Sequence, residues 1–266
     1  MFTTVTGLLA VVLYLATAVL LVRRLVRATG ERLALLALGL AAVALHGAVL
    51  GQDLLGNGAI DLSFFTTLSL VTWLMAALIL LGALRAPLEN LGVGALPLAA
   101  LGLGLELSPL ADEGTMPAMD SAMQAHIVLS LLAFSLLAIA AFQAALLAIQ
   151  DHYLRERRPG GFVRALPPLE TMERLLFRII ALGFIFLTAA LLLGWVALED
   201  LFAQHLVHKT ALSLVAWAVF GILLWGRWYF GWRGRTAVRW TTGGLTVLLL
   251  AYFGSKLVLE LILGIA

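Results

Sequence analysis

Histidine is the residue type in this chain with the most chemistry to offer, because the sequence holds five of them, no cysteine, and little else that is reactive. His46 falls inside an apolar run and His126 begins another. His205 and His208 precede a third run in the string Gln204-His205-Leu206-Val207-His208-Lys209, where a separation of three puts both on one face of a helix. His152 stands apart from these, beside Arg155. A neutral imidazole is a good axial ligand for haem iron, and a flat macrocycle can lie between helices with one histidine on each side. The same imidazoles, with Glu199 and Asp200 nearby, equally suit a divalent metal. Ionisable groups in or at the edge of a membrane are costly and rare without a task, so His46, His126 and the His205/His208 pair, at three separate apolar runs, point to a shared site.

Other polar residues have plainer readings. Lys256 and Glu260 are four apart in the last run and can pair along one helix face. Lys209 follows His208 and either supplies a cation to an anionic group or snorkels to the interface. Zero cysteine removes thiolate chemistry, iron–sulfur ligation and disulfides. No residue is singled out as catalytic.

The elements that must position these histidines are legible in the composition. With 62% hydrophobic and 12% charged residues and a mean hydropathy of +1.05, the 266-residue chain is an integral membrane protein rather than a soluble enzyme or a nucleic-acid binder. Eight apolar runs approach the roughly 20 residues that a spanning helix needs. Their cores are Gly7 to Val22, Leu33 to Leu50, Phe64 to Leu84, Leu91 to Leu105, Ala125 to Ile149, Leu175 to Leu198, Ala211 to Tyr229 and Thr241 to Ile262. The fourth is short and contains Pro97.

Charge orders the runs. Every arginine falls in the connections after runs one, three, five and seven, from Arg23 and Arg24 to Arg235 and Arg239. That side carries 15 basic and 6 acidic residues and the other 2 basic and 9 acidic, so the first is expected to be cytoplasmic and both termini to face out. The arginines follow the first run instead of preceding it, the reverse of a cleavable signal peptide. The predicted fold is therefore all-α: a single membrane domain over residues 1–266, with eight transmembrane helices and both termini on the periplasmic side. Trp225, Trp228, Trp232 and Trp240 gather at the arginine-rich end of the last two runs, as headgroup-level anchors do. Gly47 and Gly51 make a small-xxx-small pair. The basic connections, including Arg155, Arg157 and Arg158, are expected to meet membrane lipids or an acidic partner.

Several polar strings resemble the membrane proteins of cytochrome c assembly, the CcsA, CcmC and HemX group, and within it the YpjD-like inner membrane proteins. They are Arg85-Ala86-Pro87-Leu88-Glu89-Asn90-Leu91-Gly92, Leu169 to Phe177 (LETMERLLF), His208-Lys209-Thr210-Ala211-Leu212-Ser213, Gly231-Trp232-Arg233-Gly234-Arg235 and Leu250 to Lys256 (LAYFGSK). The resemblance implies a bacterial inner-membrane protein that handles haem near the outer leaflet, with haem as cofactor and apocytochrome c or another membrane protein as partner. By position it implies His126 and His208 as an outward-facing pair and His46 as a ligand within the membrane. Where the family carries a tryptophan-rich segment of the type WGxxWxWD, this chain has only Trp195 and Phe202, which would cover one edge of the macrocycle.

Two functions follow. In one, His46, His126 and His208 surround a single outer-leaflet cavity and a pair of them ligates haem iron. In the other, the chain is an accessory subunit of another membrane system, such as a transporter, and keeps the fold without haem. An ion or proton pathway through Lys256, Glu260 and the histidines is a third reading, weakened by the lack of a polar trail in the arginine-rich half.

Overall fold

The computed structural model describes residues 2–27, 31–56, 62–109, 120–157, 160–197 and 207–254. Eight α-helices form where the eight apolar runs were predicted: α1 (Phe2–Arg27), α2 (Arg32–Gly56), α3 (Phe64–Ala83), α4 (Glu89–Glu106), α5 (Ser121–Arg155), α6 (Leu169–Ala197), α7 (Val207–Phe230) and α8 (Arg235–Leu249). No strand occurs among the described residues. Helices α1, α2, α3, α5, α6 and α7 are long and apolar enough to cross a membrane. The described residues thus show six of the eight spans expected. α4 has only 18 residues, which include Glu89, Asn90 and Glu106 at its ends and Pro97 inside, and α8 has 15 residues before a π-helical turn at Leu250–Gly254, the rest of the eighth run lying outside the described residues.

The chain divides into two compact units, Met1–Ala118 with Gly160–Leu166, and Met119–Pro159 with Pro167–Ala266. In the first, α1 packs on α2 and α4, and α3 packs on the same two, which closes a four-helix ring. Each helix turns a 3,4-spaced stripe inward. On α1 the stripe is Thr6, Ala10, Tyr14, Thr17 and Leu21, while Val5, Leu8, Val12, Leu15 and Val19 are exposed on the opposite face. That outward apolar face is what lipid requires, and the small and hydroxylated inner face is what close helix packing in lipid prefers. On α2 the stripe runs through Leu35, Ala42, His46 and Val49, so the histidine occupies a core register position. Between α3 and α4 the chain turns at Pro87, and the Arg32 guanidinium caps α3 by donating to the Ala83 carbonyl while pairing with Glu89 at 3.2 Å.

The second unit repeats the ring, with α5 packed on α6 and α8, and α7 packed on α6 and α8. Asp120 caps α5, its carboxylate accepting from the Met123 N–H at 2.9 Å. The buried stripe of α6 is Met172, Leu176, Ile180, Gly183, Leu187, Ala190 and Gly194, and it becomes small towards its C-terminal end. A Cβ on Gly183 would lie 2.9 Å from Leu137 of α5, so glycine sets how closely these two helices approach.

The α7–α8 connection explains the Gly-Trp-Arg-Gly-Arg string. Gly231 and Gly234 take φ of 67° and 55°, a region open to glycine. Trp232 then folds over Gly226, and its carbonyl accepts from Arg227 at 3.0 Å. Glu173 of α6, only 5% exposed, accepts the Gly234 N–H at 2.7 Å and lies 3.9 Å from Arg227.

Candidate functional site

His46 is fully buried in the first unit. Its Nδ1 shares a hydrogen bond with the Tyr14 hydroxyl at 3.3 Å, and its Nε2 shares one with Ser69 Oγ at 2.8 Å. A neutral imidazole has one donor and one acceptor nitrogen, and each hydroxyl can play either part, so the triad is satisfied in both tautomers. The Tyr14 ring meets the imidazole edge-on at a centroid distance of 5.8 Å. One side chain from each of α1, α2 and α3 is thereby joined in an apolar interior. Around them the interior is rich in hydroxyls, with Thr17, Thr66, Thr67 and Thr72 also buried. Gly102 of α4 completes the packing, because a Cβ there would lie 2.5 Å from Thr72 Oγ1 and 3.4 Å from the Ser69 Cα.

His126 is held differently. It sits in the second turn of α5, half-buried against the small end of the α6 stripe. Its Nδ1–H donates to the Ala190 carbonyl at 2.8 Å. That bond places the proton on Nδ1 and leaves Nε2 with its lone pair, and among the described residues Nε2 has no partner. Gly194 makes room for the ring: a Cβ there would lie 2.9 Å from His126 Cε1 and 3.0 Å from Nδ1. A ring nitrogen fixed by a backbone carbonyl, with the other nitrogen open, is the arrangement in which histidines bind metals.

His208 lies in the first turn of α7, at the same end of the second unit as His126. The helix directions give that placement: Gln143 of α5 bonds Met172 while His126 bonds Ala190, and Trp217 of α7 bonds Thr188 while Arg227 covers Phe177. The side chain of His208, together with Glu199, Asp200, Phe202, His205, Lys256 and Glu260, lies outside the described residues. Trp195 follows Gly194 on α6 and is 72% exposed. His152 is exposed at the arginine-rich end, 3.3 Å from Glu156. No cluster of three or more metal-binding side chains occurs among the described residues.

On α2, Gly47 faces Trp73 of α3, while a Cβ on Gly51 would meet nothing within 4 Å among the described residues. The Trp73 indole donates to the Val43 carbonyl at 2.9 Å. Sequence reasoning missed Tyr14 and Ser69 as partners of His46, and Ala190 and Gly194 as the seat of His126. Tyr14 carried a signal, being a lone phenol in an apolar run, whereas a carbonyl and a missing Cβ leave none.

Comparison with known proteins places these features in a family. The sequence profile described as "Cytochrome C assembly protein" matches residues 34–263. The "Inner membrane protein YpjD" of Escherichia coli (strain K12) is 34% identical over 96% of this chain and 98% of its own length. The "Cytochrome c biogenesis protein CcsA" of Citrus sinensis is 31% identical over 34% of this chain and 29% of that protein, and that of Synechocystis sp. (strain ATCC 27184 / PCC 6803 / Kazusa) is 31% identical over 33% and 27%. No solved structure matches.

Proposed function

The chain belongs to the cytochrome c assembly protein family of membrane proteins, and from that premise we propose that it binds haem near the outer leaflet, where His126 and His208 would hold the iron. The observation that carries the reading is the open Nε2 of His126, whose ring is oriented by the Ala190 carbonyl and seated on Gly194. The lone pair of such a nitrogen would hold haem iron, and the bound haem would supply the redox chemistry of the site. Donor chemistry at His126 fits that group. The protein's own part is to fix the tautomer, hold the ring against α6 and keep one nitrogen available.

His46 does not fit as a ligand in this arrangement, because Tyr14 and Ser69 already engage both of its nitrogens. We therefore assign it to the interior of the first unit and draw the axial pair from the second. Trp195 is exposed beside Gly194 and is the one indole available there to lie along a macrocycle edge. Transfer of haem to apocytochrome c would be the corresponding task on the outer side.

A second reading has its own observation. His46 is saturated, and Trp195 stands where a tryptophan-rich segment would give face stacking, so the fold is also suited to an accessory subunit that holds no haem. A visible spectrum of the purified protein, expressed with ample haem, separates the two. The first reading requires a Soret band that His126→Ala or His208→Ala weakens strongly and His152→Ala leaves in place. Absence of the band, or an equal loss in His152→Ala, selects the second.

A further inference from the structure

At the arginine-rich end of the second unit, the last turns of α5 and the first turns of α8 leave a cavity of about 160 Å³. Its wall is apolar, with Leu147 and Ala148 from α5 and Val238 from α8, and its rim is charged, with Asp151, Arg235 and Arg239. Arg235 and Arg239 are four apart on α8 and flank Val238, so both guanidinium groups overhang the same slot. Asp151 is already engaged, 2.9 Å from Arg155 and 4.0 Å from Arg235. His152 at the rim is 3.3 Å from Glu156. The Arg239 guanidinium has no partner among the described residues. Two arginines and one carboxylate line the mouth, with Arg155 and Glu156 paired to rim residues, and the one cation left over, at Arg239, favours an anion.

Depth identifies which anion. Trp228 is 88% and Tyr229 73% exposed at the end of α7, and Trp232 stacks on Phe230 and lies tilted against Trp240 in the connection that leads into α8. Exposed indoles and phenols at the end of apolar helices mark the headgroup level of a bilayer. A slot at that level, cationic at the rim and apolar along the wall, matches an amphiphile with a phosphate at one end and methylenes at the other. We infer that this slot is a specific seat for an anionic phospholipid. Arg235 and Arg239 grip the phosphate, and Leu147, Ala148 and Val238 cover the first part of an acyl chain. Free phosphate shares the headgroup chemistry but has no use for the apolar wall, which makes the two sources separable. The proposal is independent of haem.

The test is native mass spectrometry of the full chain in detergent, titrated in turn with phosphatidylglycerol, phosphatidylethanolamine and inorganic phosphate. Phosphatidylglycerol should bind at least about fivefold more tightly than phosphatidylethanolamine, and inorganic phosphate should not displace it. Arg235→Gln with Arg239→Gln should weaken phosphatidylglycerol about tenfold, given the contribution of each basic residue near an anionic headgroup. Arg23→Gln with Arg27→Gln, which removes equal charge from exposed positions on α1, should change it by about twofold or less. Val238→Trp fills the slot with every arginine kept and should weaken the lipid as much as the double substitution. Arg239→Gln alone breaks no described contact, so it reports even if a bulkier change unfolds the unit. Equal losses in the two arginine pairs, full binding in Val238→Trp, or displacement by inorganic phosphate would each overturn the lipid seat.

Discussion

In the first unit His46 is completely enclosed and both its nitrogens are bonded to side chains, whereas in the second His126 is half-buried, with one nitrogen on a carbonyl and the other without a partner among the described residues. The two histidines look alike in sequence, each in or beside an apolar run. The difference is made by the neighbouring helices. α1 and α3 bring a phenol and a hydroxyl to His46, and hydroxyls at several further positions make that interior polar enough to hold an imidazole. α6 offers His126 only small residues and a backbone carbonyl, a surface that orients the ring without using it up. The first histidine is therefore bound into the packing of its unit, and the proposed ligand role falls to the second.

If that division is right, His46→Leu should be the most destabilising single change in this set. An interhelical hydrogen bond in a membrane protein averages about 0.6 kcal/mol, so the two bonds to Tyr14 and Ser69 account for roughly 1 kcal/mol. Mismatched shape in a fully packed site and two stranded hydroxyls add a further ~2 kcal/mol. A thermal melt in detergent should show a loss near 3 kcal/mol, with the haem spectrum of the surviving folded fraction unchanged. Loss of haem at unchanged stability would reverse the assignment.

Gly194→Ala is expected to act in the opposite sense. Its Cβ would stand 2.9 Å from His126 Cε1, and the ring, being half-buried, can swing away. Stability should fall by less than about 1 kcal/mol, while haem affinity falls roughly tenfold because Nε2 is no longer aimed. The check is haem titration followed at the Soret band, and an unchanged affinity would show that the seat on α6 does not orient the ligand.

Much of the architecture was readable because membrane sequence is strongly constrained: length and hydropathy mark the helices, and each of the eight runs is helical over its described residues. What stayed hidden depended on side-chain register between helices. Nothing in the string around Leu68-Ser69-Leu70 says that Ser69 faces α2, and nothing around Gly194 says that its lack of a Cβ accommodates an imidazole 68 residues earlier in the chain. In sequence, the Gly-Trp-Arg-Gly-Arg string is a family resemblance with no mechanism attached. Its mechanism is local, two left-handed glycines and a buried carboxylate that holds the turn. Tyr14 could have been found, since the burial stripe of α1 places it in register with Thr17 and Ala10.

Ser69→Ala sharpens the comparison further. It removes the hydroxyl on His46 Nε2 and leaves Tyr14 on Nδ1, giving the first unit a histidine with one open nitrogen like that of the second. The cost should be about 1 kcal/mol, one buried hydrogen bond together with the desolvation of the nitrogen left behind. If an open nitrogen in an enclosed apolar site were sufficient for ligation, the variant would gain haem and show it as a larger Soret absorbance per protein. The expected result is no gain, because the Ser69 side chain leaves a space of hydroxyl size and a macrocycle needs a gap between helices.

The smallest effect is expected at Glu173, where the second unit buries a charge for purely structural ends. Glu173→Gln keeps an oxygen that can accept the Gly234 N–H, so the glycine turn into α8 should survive. What is lost is the attraction to Arg227, whose Nη1 is 3.9 Å away and already donates to the Trp232 carbonyl while stacking on Phe177 at 4.6 Å. An ion pair at that distance with a partner so well occupied contributes little, and removing the buried charge also removes its desolvation penalty. The two terms oppose each other, and the net change in thermal stability should stay within about 0.5 kcal/mol, whereas Glu173→Ala, which strands the Gly234 N–H, should cost about 1 to 2 kcal/mol. A large loss in Glu173→Gln would mean that the charge itself holds α6 to the α7–α8 turn. The buried polar groups of the second unit would then depend on ionic pairing where those of the first depend on neutral hydrogen bonds.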